Sequence, residues 1–585
     1  MVASWWDNIH WAMWRVADRS DLLPVIQSAR RVARKIVAPL LAEGARSGCE
    51  WTPQKARILA ALDANGLTSI SSSMDYRSAM PLALAAWELA WVDGGAATCS
   101  LSGSLAQMPI RDFGTREQRD RYLGQADRPH GALCLTEPIP GAGTDAIFLA
   151  GSFHVAEWPS GSEPRLEIYK RGRFISHMDF ADFVVAAVQA GGDRVRSSCL
   201  VVLEPEDAGV FDLGSRVHKL GHQLSSTTNP VFSLRVPASR IVGGYTIDDG
   251  VVVPNFDHRR QLEPAFRRTR AILSLMTASK LLSIMEPLMH PRRQTTGGED
   301  FWLRMVDLWA TGEAAASLGF SSARLSDQLD LAGDRTDSRT REDAVLSPAA
   351  KLFSTSQVTD MLQRTSALGE CWPMTSGPGC LQDKLIDAQI EAVHLGPEAL
   401  QRRQVSAAMI DAEFLVQFRA WTGEMDQHAR RLPHTGIRCL TAGMRLWHWT
   451  LDQLRQQTDS RGVRLYCDAR QGVTFPMADA LCWLLAARSL TLDVLELEKG
   501  GRHWTGTASV SPVFSDMSTI ASVRAAGSVA QTCAALLLGY DGRFPVSAAT
   551  RSVFDDLRTR LDVSLCGAMA ARDRTVQFLR AKGEN

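Results

Sequence analysis

The chain has 585 residues, 45% hydrophobic and 22% charged, a globular composition with room for about three to five domains. Lys plus Arg and Asp plus Glu each number 64, so the formal net charge is zero. That removes the basic excess expected of a nucleic-acid or anionic-membrane partner. In the N-terminal stretch charges interrupt every apolar run, so none approaches the ~20 residues that span a bilayer. The stretch also lacks the three-part pattern of a secretory signal. The chain therefore reads as cytoplasmic, with neither nucleic acid nor membrane as partner. Its eleven cysteines include no C-x-x-C pair, so neither a metal site nor a disulfide framework is expected.

Residues 21 to 125 show helical periodicity. Pro53 follows Thr52 and opens a helix at its first turn. Thr115 precedes the polar segment Arg116 to Leu123 as its cap. The period then changes. Leu166 to Tyr169, Phe183 to Val188, Cys199 to Leu203 and Pro230 to Val236 are short apolar runs separated by Gly, Pro, Asp and Asn, which predicts strands. Helical patterns resume over Arg270 to Met289, Ala349 to Leu368 and 398–430. They continue through 437–458, 475–497, 514–540 and 548–580. Helices, then strands, then two helical blocks predict an α+β protein. The expected divisions are 1–128 (helical), 129–246 (β-barrel), 247–430 (helical bundle) and 431–585 (helical extension).

The β region opens with Cys134-Leu135-Thr136-Glu137-Pro138-Ile139-Pro140-Gly141-Ala142-Gly143-Thr144-Asp145, a Gly- and Pro-rich turn whose backbone N–H groups can approach a flat or anionic ligand. Read alone, it is a tight turn between strands. Four further segments accompany it. Gly114-Thr115-Arg116-Glu117-Gln118 precedes it. Phe174-Ile175-Ser176, Lys219-Leu220-Gly221-His222-Gln223-Leu224-Ser225-Ser226-Thr227 and Val236-Pro237-Ala238-Ser239-Arg240-Ile241-Val242-Gly243 follow. In this order they resemble the motifs of the acyl-CoA dehydrogenase family of flavoproteins. The resemblance covers about residues 20 to 405, and the helical tail is similar to that of the family's long branch.

The resemblance implies a helical domain, a β-barrel, a four-helix bundle and an extra helical domain, with FAD between barrel and bundle. Thr136, Gly143 and Thr144 match flavin-contacting positions. Phe174 matches an aromatic that packs on the isoalloxazine, and Ser176 a hydroxyl near the flavin's reactive edge. Arg292 and Arg293 match the diphosphate segment, although its Phe is missing. Gly369 is what remains of the adenine-side glycine loop. Ile139 and Pro140 lengthen the turn over the flavin by two residues.

One departure bears on chemistry. Asp387-Ala388-Gln389-Ile390-Glu391-Ala392-Val393-His394-Leu395-Gly396-Pro397 resembles the family's D-A-K-I-x-x-I-Y-E-G-T without a gap. The catalytic glutamate falls on Leu395, the tyrosine on His394 and the threonine on Pro397. Removing the α-proton of an acyl thioester needs a base and donors for the developing enolate oxygen. Leucine keeps its backbone N–H but accepts no proton. A minority of the family carries its base at the position of Thr269, and that glutamate is absent too. His394 is the tentative substitute, its bland alternative being packing on the bundle surface. Glu391 is expected to be solvated, and Glu263 to lie in an inserted loop, Asp257 to Pro264.

The first functional expectation is an atypical flavin-dependent oxidoreductase acting on an acyl thioester carried by coenzyme A or a carrier protein. The others are a degenerate thioester-binding or partner subunit, and monooxygenase-type flavin chemistry on the same fold. A homodimer is expected. A hetero-oligomer with an active paralogue, or a complex with an acyl carrier protein, is the alternative.

Overall fold

The computed structural model describes residues 9, 21–46, 48–72, 79–124, 130–138, 149–289, 298–332, 338–368, 380–499, 511–539 and 546–583. The first helices are α1 (Leu23–Val32), extended by a π-helical turn and a short helix to Ala42, α2 (Pro53–Ala64), α3 (Ala79–Ala90), α4 (Gly94–Leu101), α5 (Ser104–Phe113) and α6 (Arg116–Tyr122). Their starts follow from capping chemistry. The Thr52 hydroxyl accepts from Lys55 N–H at α2, the Asp93 carboxylate from Ala96 N–H at α4, and Thr115 with Gln118 forms a reciprocal box at α6. Helix α3 is buried throughout, packed between α1 and the bundle, and is apolar except for Glu88, which pairs with Arg30 of α1 at 2.8 Å.

Among the described residues ten strands follow: β1 (Gly131–Cys134), β2 (Ser152–Glu157), β3 (Arg165–Arg171), β4 (Ile175–Ser176), β5 (Phe183–Ala190), β6 (Ser198–Leu203), β7 (Ala208–Arg216), β8 (Thr227–Pro237), β9 (Tyr245–Asp248) and β10 (Val251–Pro254). The main sheet runs β1-β5-β2-β3-β8-β4, with β6 on β5 and β7 on β8. Strand β1 is parallel to β5, Gly131 opposite Phe183. Strands β5 and β6 are buried over nearly their whole length, which accounts for their unbroken apolar runs. The four expected strands are present. Strands β2 and β7 are among those not expected: only Phe153 of β2 is buried, and β7 is exposed at most positions.

The bundle is built from α7 (His258–Ser283), α8 (Glu299–Ala332), α9 (Ser338–Phe353), α10 (Leu381–Glu391), α11 (Glu398–Ala408) and α12 (Ala412–Arg431). Two expectations are corrected. Residues 398–430 form two helices, because Asp411 leaves the helical path and caps α12, accepting from Glu413 and Phe414 N–H. The expected loop Asp257 to Pro264 is the start of α7, with Asp257 as its cap.

The extension comprises α13 (Ile437–Gln456), α14 (Gln471–Lys499), α15 (Ser511–Leu538), α16 (Ala548–Ser564) and α17 (Ala568–Gly583). It continues the bundle's core. Helices α14 and α15 pack on each other and on α8, and Phe353 meets Trp483 edge-on at 4.8 Å. The stretches His258–Met289 and Ser511–Leu538 are long and apolar enough to cross a membrane, but 94% of the first window and 56% of the second are buried inside the fold.

Candidate active site at the barrel–bundle seam

Among the described residues six non-glycine residues have positive φ, and three of them lie in one linked group: His177 (76°), His222 (50°) and Leu395 (53°), with Phe174 (58°) three residues before His177. Left-handed backbone costs an L-residue roughly 1–2 kcal/mol, and such strain gathers where geometry serves a site. Hydrogen bonds hold Phe174 and His177 to the barrel and link His177 to His222. The Arg173 N–H donates to Thr136 O at 2.9 Å, and His177 N–H to Ser226 O at 3.2 Å. The Phe174 N–H donates to Asn229 Oδ1 at 3.0 Å. Thr98 on α4 links two of the histidines, its O lying 3.2 Å from His177 Nε2 and its Oγ1 3.0 Å from His222 Nδ1. The His222 ring meets the His394 ring edge-on at 5.3 Å, and His394 precedes Leu395.

On the barrel side Thr136 is exposed, Ser176 half-buried in β4, and Phe174 is 52% exposed with the Arg173 guanidinium over its ring, at 4.7 Å. An exposed aromatic beside a hydroxyl that has no partner among the described residues suits a flat ligand. Glu137 anchors this wall. Its buried carboxylate pairs with Lys170 Nζ at 2.6 Å and accepts from Ala150 and Gly151 N–H, both at 2.6 Å. Gly143, Thr144, Arg292, Arg293 and Gly369 lie outside the described residues.

On the bundle side, Leu395 and Gly396 (φ 91°) make a left-handed pair between α10 and α11. Leu395 is half-buried and packs on the apolar cluster of the first helical domain and α7. Its carbonyl accepts from Gln401 Nε2 at 3.1 Å, and the Gly396 carbonyl accepts from Lys351 Nζ. Thr269 donates within its own helix, to Ala265 O at 2.8 Å. Glu263 is 61% exposed and faces Arg270 at 3.6 Å.

His394 is not a surface residue. It is half-buried, and burial together with His222, Lys219, Lys351 and Lys280 pushes its pKa well below the ordinary value of 6.5. At neutral pH it is an uncharged imidazole, free to accept a proton but a weak base.

Glu391 is fully buried, contrary to the solvated expectation. Its carboxylate pairs with Lys280 Nζ, accepts from Thr277 Oγ1 at 2.6 Å and lies 3.4 Å from His222 Nε2. Burial alone would raise its pKa, but Lys280 and His222 hold it below the ordinary value. Asp387, one turn earlier, is equally buried. It accepts from His222 N–H at 2.7 Å and pairs with Arg46 at 2.7 Å, while Arg46 also reaches Asp93 at 2.7 Å. This polar seam joins the first helical domain, the barrel and the bundle beneath the site. Sequence reading missed Lys280, His222 and Arg46. A signal existed for the first: Lys280 is the single charge between Ala271 and Ile284, and a lone cation on a buried helix requires a buried anion.

Comparison with known proteins follows this geometry. Residues 21–126 match the family described as the acyl-CoA dehydrogenase N-terminal domain. An acyl-CoA dehydrogenase from Bacillus anthracis, solved with FAD, is similar over 96% of this chain and 95% of its own, at 15% identity and a TM-score of 0.71. Butyryl-CoA dehydrogenase from Megasphaera elsdenii is similar over 67% of this chain and 98% of its own, at 18% identity and a TM-score of 0.52. Nitroalkane oxidase from Podospora anserina is similar over 68% and 96%, at 16% identity and a TM-score of 0.54. The chain has the acyl-CoA dehydrogenase fold from its first helical domain through its extension, and its residues 21–126 match the acyl-CoA dehydrogenase N-terminal domain family.

Proposed function

We propose that this protein is an FAD-binding oxidoreductase that takes an acyl thioester and works without the glutamate base usual in proteins of this fold. The observation that carries the reading is the position of Leu395: a half-buried leucine at positive φ in the α10–α11 loop, packed against the first helical domain. The uncovered ring of Phe174 and the hydroxyls of Thr136 and Ser176 fit a flavin, which when bound would accept the two electrons of an oxidation. Arg292 and Arg293 would hold its diphosphate.

The chain's own groups have defined tasks in this reading. The backbone N–H of Leu395 offers a donor for a thioester oxygen. The Leu395 side chain excludes water from the acyl α-carbon and removes no proton. His394 is the only titratable side chain in the loop 392–397, and as a neutral imidazole it takes the base's place at low driving force. A second reading, flavin chemistry needing no α-proton transfer, is favoured by the same apolar side chain. Flavin content and thioester response of the purified protein separate the two. Slow bleaching by an acyl-CoA without oxygen supports the first, and oxygen uptake dependent on a reductant supports the second. A protein that binds thioester but no flavin would instead be the non-catalytic subunit. In this reading the protein is cytoplasmic and a homodimer. A tetramer mass in light scattering would contradict that assembly.

A further inference from the structure

The turn that carries Leu395 is gripped by side chains from two helices. Leu395 (φ 53°) and Gly396 (φ 91°) are consecutive left-handed residues, a conformation unfavourable for the leucine. Gln401 on α11 donates from Nε2 to the Leu395 carbonyl at 3.1 Å. Lys351 on α9 donates from Nζ to the Gly396 carbonyl. A Cβ at Gly396 would come within 2.5 Å of Leu400 Cδ2 and 3.6 Å of Gln401 Nε2, so α11 packs directly on the turn.

The grip is costly, and a helix end does not require it. Residues 394–397 are half-buried, and the carbonyls of such a turn can be left to water. Here two fully buried side chains serve them instead. Gln401 Oε1 is left buried without a partner. The Gly396 carbonyl is the one hydrogen-bond acceptor of Lys351 Nζ among the described residues. A buried ammonium spent on one neutral carbonyl is a poor bargain for stability alone.

The amide side of the turn shows what the grip achieves. The His394 N–H donates to Ile390 O at 3.3 Å and closes α10. The Leu395 N–H has no acceptor among the described residues. Each peptide unit is planar, so holding a carbonyl holds its whole plane. With the carbonyls of Leu395 and Gly396 both held, the planes on either side of Gly396 cannot turn. The left-handed backbone of Leu395 then sets the direction of its own N–H.

We infer that Gln401 and Lys351 are positioning residues: they lock the Leu395–Gly396 turn so that the Leu395 N–H stays aimed at the thioester oxygen. The inference rests on the thioester reading above. A donor adds most to stabilising a developing oxyanion when it is fixed before the reaction begins. Neither side chain touches the ligand, and both act through the backbone they hold.

The test is isotope-edited infrared difference spectroscopy of the flavin-loaded protein with butyryl-CoA labelled at the thioester carbonyl, recorded without oxygen before the flavin bleaches. In the wild type the carbonyl band should move to lower frequency on binding, because its oxygen accepts a hydrogen bond. That shift should shrink in Gln401→Met and in Lys351→Met, and return in part in Lys351→Arg. Loss of packing alone would lower the melting temperature and leave the band in place. A wild-type shift that persists undiminished in the Met variants would overturn the inference and leave the thioester reading standing. A bound thioester whose band does not move in the wild type would overturn it as well, and absence of binding would overturn both. Gln401→Met removes no charge, and it decides on its own if Lys351→Met fails to fold.

Discussion

Leu395→Glu puts a carboxylate where the family resemblance places the base. Leu395 is half-buried, so removing its apolar contact costs about 1 kcal/mol, half the value of a fully buried leucine. The left-handed backbone is already in place and adds nothing new. The introduced carboxyl group would meet opposing influences. Apolar packing raises its pKa toward the range useful for a base, while Lys351 and the other cations around His394 lower it. The expected gain in the first half-reaction is at most the ~10²–10⁴-fold of a general base, and less if the two-residue insertion at Ile139-Pro140 has displaced the flavin. Single-turnover flavin reduction by a short acyl-CoA, followed anaerobically by stopped flow, measures it. Fast reduction in the wild type with no gain in Leu395→Glu would refute the reasoning and identify another base. His394→Ala would then be the variant to measure.

Three further outcomes follow from the geometry. Lys280→Met alone leaves Glu391 charged, buried and short of its cation, and should destabilise the protein by about 3–5 kcal/mol. The double change Lys280→Met with Glu391→Leu should recover most of that in urea denaturation, and equal losses in both variants would contradict the pairing. Stability should rise between pH 7 and 8.5. Burial lowers the pKa of Lys351 and Lys384 to about 7 in the folded protein, so above that pH the unfolded chain binds more protons, and each lysine contributes up to ~1.4 kcal/mol per pH unit. Above pH 8.5 the trend should reverse as thiols such as Cys99 and Cys134, held near 12 by burial, ionise only on unfolding. A melting temperature flat across pH 7 to 8.5 would argue against buried neutral amines. Ser176→Phe should expel or perturb the flavin, and an unaltered visible spectrum would remove Ser176 from the flavin wall.

The fold was legible where one kind of side chain dominates a segment. Strands β5 and β6 are buried on both faces and announce themselves as apolar runs. Strand β7 gave no signal, because its ladder to β8 is made by backbone groups while its side chains face solvent. The join between α11 and α12 hid for a related reason. Helical periodicity persists across Met409 to Asp411, and only the carboxylate of Asp411 ends one helix and caps the next. At the candidate site, the Leu395 loop, Phe174 and Ser176 were singled out through ordered motifs. The seam of Arg46, His222, Lys280 and Glu391 was not, because its members come from four distant segments and, Lys280 apart, each reads singly as a surface charge or a packing histidine. What sets their behaviour is the neighbour the fold supplies, as Glu391 shows by being buried against Lys280 rather than solvated.

The central claim is that a flavin sits between the Phe174–Ser176 wall and a loop that offers it no carboxylate. It is tested most directly by the visible spectrum of the purified protein, recorded before and after anaerobic addition of a saturated acyl-CoA. The account predicts flavin absorption with about one FAD per chain, shifted at once by the thioester and bleached only slowly. A protein that stays colourless after incubation with FAD, or one bleached within the mixing time, would contradict it.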